Sequence, residues 1–180
     1  LPVLELTYWA LNYKLDFFNQ KFISTALNTL YLSLVAAFLC TFLALIINFS
    51  IRYKANNLLK FLSSFLTVGY AVPGLILAIG VMRLLTFLDR NFTIEMFNLV
   101  LTGSLVGLVM AYIIKSYALS STTFDAGFER ISPKIDDVAR SLKTSGWNLL
   151  SKIHVPLLKT SFLTSMLLVV AEVIKELPAT

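Results

Sequence analysis

Charge is scarce in this sequence: 14% of its 180 residues are Asp, Glu, Lys or Arg, against about 25% in soluble domains. So few charges cannot cover a water-facing surface, which excludes an ordinary soluble domain. Cysteine and histidine occur once each. Cys40 cannot close an internal disulfide, and within its apolar run it reads as a packed thiol. His154 alone makes no metal site, and no Cys/His/Asp cluster has ligand spacing. No nucleophile can be paired with a base, and the phosphate loop G-x-x-x-x-G-K-[ST] is missing. The chain itself is therefore expected to be non-catalytic, without a cofactor and without ATP. The net charge of +5 carries no basic stripe with interleaved aromatics, so nucleic acid is not an expected partner. No cleavable signal peptide can be read from Leu1 to Leu11, which has neither a basic flank nor a small-residue cleavage site.

What the sequence has is oil. Hydrophobic residues make up 57% of it, mean hydropathy is +0.79, and the apolar residues fall in long runs. About 20 helical residues cross a bilayer core of about 30 Å. Four runs qualify: Leu27 to Phe49, Phe61 to Leu88, Leu99 to Leu119, and Leu157 to the end. The expected fold is all-α, a polytopic transmembrane helical bundle over residues 1–180 with membrane lipid as its solvent. Leu1 to Leu11 reads as the tail of an earlier span, and both chain ends read as cut from a longer protein. Within the second run Pro73-Gly74 predicts a kink or break. Gly69, Gly74 and Gly80 offer points of close helix approach there, and Gly103 and Gly107 form a small-xxx-small pair.

The basic residues set the orientation. Arg52, Lys54 and Lys60 follow the first run, and Arg130, Lys134, Arg140, Lys143, Lys152 and Lys159 separate the third from the fourth. Both groups then face the cytoplasm, two spans apart. Ser120 to Thr123 read as boundary punctuation, and the chain from about residue 120 to 156 reads as one cytoplasmic loop. Ser132 is a candidate N-cap with Pro133 at the first helical position, and Asp136 and Asp137 fall in the first turn. Ile135, Val138, Ala139 and Leu142 make an apolar face by their spacing. A second short helix is expected after Ser145-Gly146, with Trp147, Leu150 and Ile153 on one side and Pro156 closing it. On pattern alone such a pair of helices either lies in the lipid interface or docks a partner.

The run Asp137-Val138-Ala139-Arg140-Ser141-Leu142-Lys143, nine further residues and Ile153-His154-Val155-Pro156 resembles the EAA loop of ABC-importer permeases. That pattern reads Glu-Ala-Ala, three residues, Gly, nine residues, Ile-x-Leu-Pro, and the register from Asp137 to Pro156 matches without a gap. Lys143 stands where the pattern has glycine, so Gly146 is expected to supply the bend instead. Phe128 to Pro133, Tyr70 to Gly74, and Glu176 to Thr180 after Glu172 and Lys175 resemble segments of the same permeases, the last most like the ferric-iron importers. The resemblance implies the second half of a type I permease, with an incomplete first span and without its last.

It further implies that Ile135, Asp137, Val138, Ala139, Leu142, Gly146, Ile153 and Pro156 form a coupling loop on a cytoplasmic ABC ATPase dimer. ATP would be bound there and not in this chain. A periplasmic or extracellular substrate-binding protein, and the other half or a second copy of the permease, complete the implied assembly in a bacterial cytoplasmic (inner) membrane. Ferric iron is the first substrate, with thiamine, phosphonate, polyamine and sulfate or molybdate as alternatives.

Pro73, Glu172, Lys175 and Glu176 are the pathway candidates, since ionisable groups within a membrane cost about 2.5–3.5 kcal/mol each and usually face a bundle interior or water. Lys175, three residues from Glu172, can pair with it. Lys115 and Arg83 read as snorkelling anchors. An ion-gradient-driven secondary transporter or channel is the competing reading, and it leaves the long loop idle.

Overall fold

The computed structural model describes residues 2–12, 20–54, 57–93, 101–144 and 146–176. Among the described residues every regular element is helical. Helix α1 (Pro2–Asn12) precedes α2 (Gln20–Lys54), which at about 1.5 Å per residue is about 50 Å long and overshoots a bilayer core.

The expected break in the second run is a full interruption. Helix α3 (Asn57–Val68) tightens into a 3-10 turn (Gly69–Ala71), Val72 is extended ahead of Pro73, and α4 (Gly74–Leu88) starts afresh. Proline disfavours a helical conformation in the residue before it, and here Val72 has φ −77° and ψ 128°. The Pro73 carbonyl then accepts from the amides of Ile76 and Leu77, at 3.0 and 3.1 Å, and starts the new helix. Beyond α4, Asp89 closes the connection by accepting from the Leu101 and Thr102 amides and the Thr102 hydroxyl.

Helix α5 (Leu105–Glu129) differs from expectation, continuing ten residues beyond Leu119 to Glu129. Ser120 and Ser121 are not boundary punctuation but buried contacts. Ser120 Oγ lies 3.5 Å from Cys40 Sγ and accepts from Ser165 Oγ at 2.9 Å, while Ser121 Oγ accepts from Asn48 Nδ2 at 3.1 Å. Without a hydrophobic force between helices in lipid, small and hydroxyl side chains permit close approach and bond across it. The α2 face of Ser33, Ala37, Cys40, Thr41, Ala44 and Asn48 supplies the other half of that seam.

The chain continues through α6 (Pro133–Ser141), a short turn α7 (Trp147–Leu149), a π-helical turn (Leu150–His154) and α8 (Val155–Leu157). It then bends by 76° into α9 (Lys159–Lys175). Helices α2, α5 and α9 form the central bundle, and α3, the 3-10 turn and α4 pack on α5. Helices α2 and α5 are each long and apolar enough to cross a membrane, and α7–α9, if its bent pieces are one span, makes a third. Large apolar side chains such as Tyr31, Phe38, Ile79 and Leu167 point outward, as lipid-facing surfaces require.

Candidate functional site

The loop between α5 and α9 is held by two guanidinium groups, those of Arg52 and Arg140. Arg52, near the end of α2, donates from Nη1 to the Phe128 carbonyl at 2.7 Å and from Nη2 to the Ile131 carbonyl at 2.9 Å. The last carbonyls of a helix have no partner within it, so Arg52 caps α5 from outside. Its Nε donates to Asp136 Oδ2 at 2.7 Å, tying the first turn of α6 to the same point. His154 is fully buried between Phe49 and Phe128, and its Nε2 lies 2.8 Å from Asp136 Oδ1. Burial holds its imidazole below the ordinary histidine range, against the pull of Asp136 and with a smaller push from Arg52. One turn further on, Arg140 donates to the Tyr53 carbonyl at 3.0 Å and lies over the Tyr53 ring.

Helix α6 is therefore oriented opposite to a common amphipathic helix. Asp136 and Ala139 turn toward the bundle, while Ile135, Val138 and Leu142 are exposed, Val138 at 60% and Leu142 at 74%. The exposed side chains line an open groove of about 300 Å³ with Lys134, Ala139 and Ile153. Asp137 is exposed on the same helix, and among the described residues its carboxylate makes no ion pair. Pro156 and Trp147 are exposed, and Ile153 is half-buried. The Ser132 hydroxyl makes no capping bond, and its carbonyl accepts from the Ile135 amide instead.

The bend at the end of α6 corrects one expectation. Lys143 does take the left-handed conformation, with φ 57°, and Gly146 adds a second positive φ of 55°. The Thr144 amide reaches back to the Ala139 carbonyl at 2.9 Å and the Lys143 amide to the Arg140 carbonyl at 2.9 Å. These two bonds are a Schellman motif, whose left-handed position usually holds glycine. Lys143→Gly is expected to stabilise the bend by about 1 kcal/mol. Slower amide hydrogen exchange across α6 in the purified protein would register it.

A second polar cluster lies where the broken run meets α5 and α9. Lys115 Nζ donates to Glu176 Oε1 at 2.9 Å, both side chains being mostly buried. Lys115 is thus no snorkelling anchor: ten residues into α5, about 15 Å along the helix, it reaches Glu176 more readily than water. The Glu176 carboxylate occupies the space that a Gly74 side chain would fill, one residue after Pro73. Glu172 and Lys175 pair with each other at 2.8 Å, one turn of α9 away. Of the four pathway candidates, Pro73 and Glu176 meet through Gly74, and Lys115 joins them. Leu177 to Thr180 lie outside the described residues. Arg52, Asp136 and His154 carried no predicted role beyond topology, dipole and a variable position. Only the tertiary contacts bring them together.

Residues 41–180, which include both clusters, match the model of a family described as binding-protein-dependent transport system inner membrane component. A Haemophilus influenzae protein that carries the name ferric transport system permease protein FbpB 1 is 26% identical over 168 residues. That alignment covers 88% of this chain and 25% of the relative, so the chain spans about a quarter of the relative's length.

Proposed function

Since the chain belongs to the binding-protein-dependent transport system inner membrane component family, we propose that it forms part of the transmembrane pathway of an ATP-driven importer in a bacterial inner membrane. The observation that carries this reading is the reversed exposure of α6. A loop fastened to the bundle through Asp136 and Arg140 offers Ile135, Val138 and Leu142 to the outside, with Asp137 beside them. Exposed apolar surface bordered by charge marks an interaction site. The partner is a cytoplasmic ATPase dimer, which binds and hydrolyses ATP. The apolar face fills a groove on the ATPase and Asp137 meets a basic residue at its rim. The permease chain performs no chemistry. A substrate-binding protein delivers cargo on the other side, and a second permease half or copy completes the pathway.

Ferric iron is the proposed cargo, supported by the relative named for ferric transport. The pathway passes the helix break, where Pro73, Gly74, Lys115 and Glu176 converge, with Glu172 and Lys175 close by. Non-helical backbone at membrane depth is tolerated where it is buried in protein or lines a cavity.

The test is co-purification of the full-length permease with its ATPase. Wild type is expected to retain the ATPase, whereas Asp137→Lys and an Ile135→Glu/Leu142→Glu double variant are expected to lose it. Unchanged retention by both variants would mean that the ATPase docks elsewhere and that α6 is an interfacial anchor, whereas a wild type that retains no ATPase would favour an ion-driven transporter.

A further inference from the structure

Whatever docks on α6 can move the membrane helices only if the link to them is stiff. Between Glu129 and Pro133 lies a link of three residues, Arg130, Ile131 and Ser132, which would ordinarily act as a hinge. Arg52 grips this link through the Phe128 carbonyl before it and the Ile131 carbonyl within it. The same guanidinium holds Asp136 beyond it, and Asp136 in turn faces the buried His154 at the entry to α9. The ends of α2 and α5, the start of α6 and the approach to α9 thus converge on one carboxylate and one guanidinium.

We infer that Arg52, Asp136 and His154 form a rigid strut that transmits displacement of α6 to α2, α5 and α9, as positioning residues that do not themselves contact the docked partner. The inference rests on the docking reading above but separates two neighbouring acids. Asp137 faces out and recruits, while Asp136 faces in and transmits. An Arg fork suits this task because it is planar and satisfies three acceptors in fixed directions, which a lysine cannot do.

The experiment uses the full-length permease with its ATPase in proteoliposomes, with Asp136→Asn, Arg52→Gln, their double variant and the milder His154→Gln. ATPase retention, ATP hydrolysis with and without cargo-loaded binding protein, and cargo uptake are measured on each. Asp136→Asn and Arg52→Gln are expected to retain the ATPase as wild type does. Their cargo uptake is expected to fall by about tenfold, and their hydrolysis to stop responding to cargo. The double variant is expected to be no worse than either single, because the two groups act as one unit. His154→Gln is expected to show the same separation of retention from uptake, more weakly, and to supply the answer if the charged-pair variants fail to insert. Uptake at the wild-type level, or loss of the ATPase together with uptake, overturns the strut. If wild type itself retains no ATPase, the docking reading fails first, and the strut with it.

Discussion

Lys115→Met is expected to destabilise the bundle by about 3–5 kcal/mol, the usual cost of removing one partner from a buried ion pair. Glu176→Gln is expected to do nearly as much, because each change leaves a charge in a place built for two. The Lys115→Met/Glu176→Gln double variant should recover most of the loss, since no uncompensated charge then remains inside. Both side chains are more than four-fifths buried, at 14% and 12% exposure, so solvent screening removes little of the effect. Thermal unfolding of the four proteins in lipid nanodiscs gives the coupling energy directly. Equal melting of all four would instead mean that the pair is hydrated and that Lys115 is a surface anchor after all. A full coupling energy would identify the helix break as a dry, charge-paired constriction.

The fold was largely legible because lipid imposes simple rules. Long apolar runs have to be helices, and Pro73 with Gly74 has to interrupt one of them. What misled was polarity. Ser120 to Thr123 resemble a membrane boundary, yet Ser120 and Ser121 face Cys40, Ser165 and Asn48 across helix seams. Hydrophobicity alone cannot distinguish a hydroxyl facing water from one facing another helix.

The coupling segment was legible as a pattern and less so as an object. The spacing of Ile135, Val138 and Leu142 predicts an amphipathic helix, but the face it exposes depends on where Asp136 and Arg140 find partners. Those partners are Arg52 and Tyr53, more than eighty residues away in sequence. His154 fits the same account: a lone histidine in a variable motif position gives no signal until Phe49 and Phe128 enclose it. Lys143 shows the reverse error. Its identity argues against a left-handed bend, yet two backbone bonds to Ala139 and Arg140 impose one.

The glycines of the broken run offer a sharper test because they look alike in sequence and differ in surroundings. A Cβ at Gly69 would lie 2.6 Å from the Ile114 carbonyl oxygen and 2.9 Å from its Cγ2, whereas one at Gly80 would meet nothing within 4 Å. The obstacle at Gly69 is backbone of α5, which no rotamer change can clear. Gly69→Ala is therefore expected to force the end of α3 away from α5 and to cost about 1–3 kcal/mol, as overpacking does. Gly80→Ala should stay within about 0.5 kcal/mol of wild type. Ile114 is the neighbour of Lys115, so the same displacement is expected to disturb the Lys115–Glu176 pair and lower cargo uptake. Gly69→Ala in a Lys115→Met/Glu176→Gln background separates the two contributions. A smaller uptake loss there means that the substitution acts through the ion pair, and an equal loss means that it acts through the packing of α3 on α5.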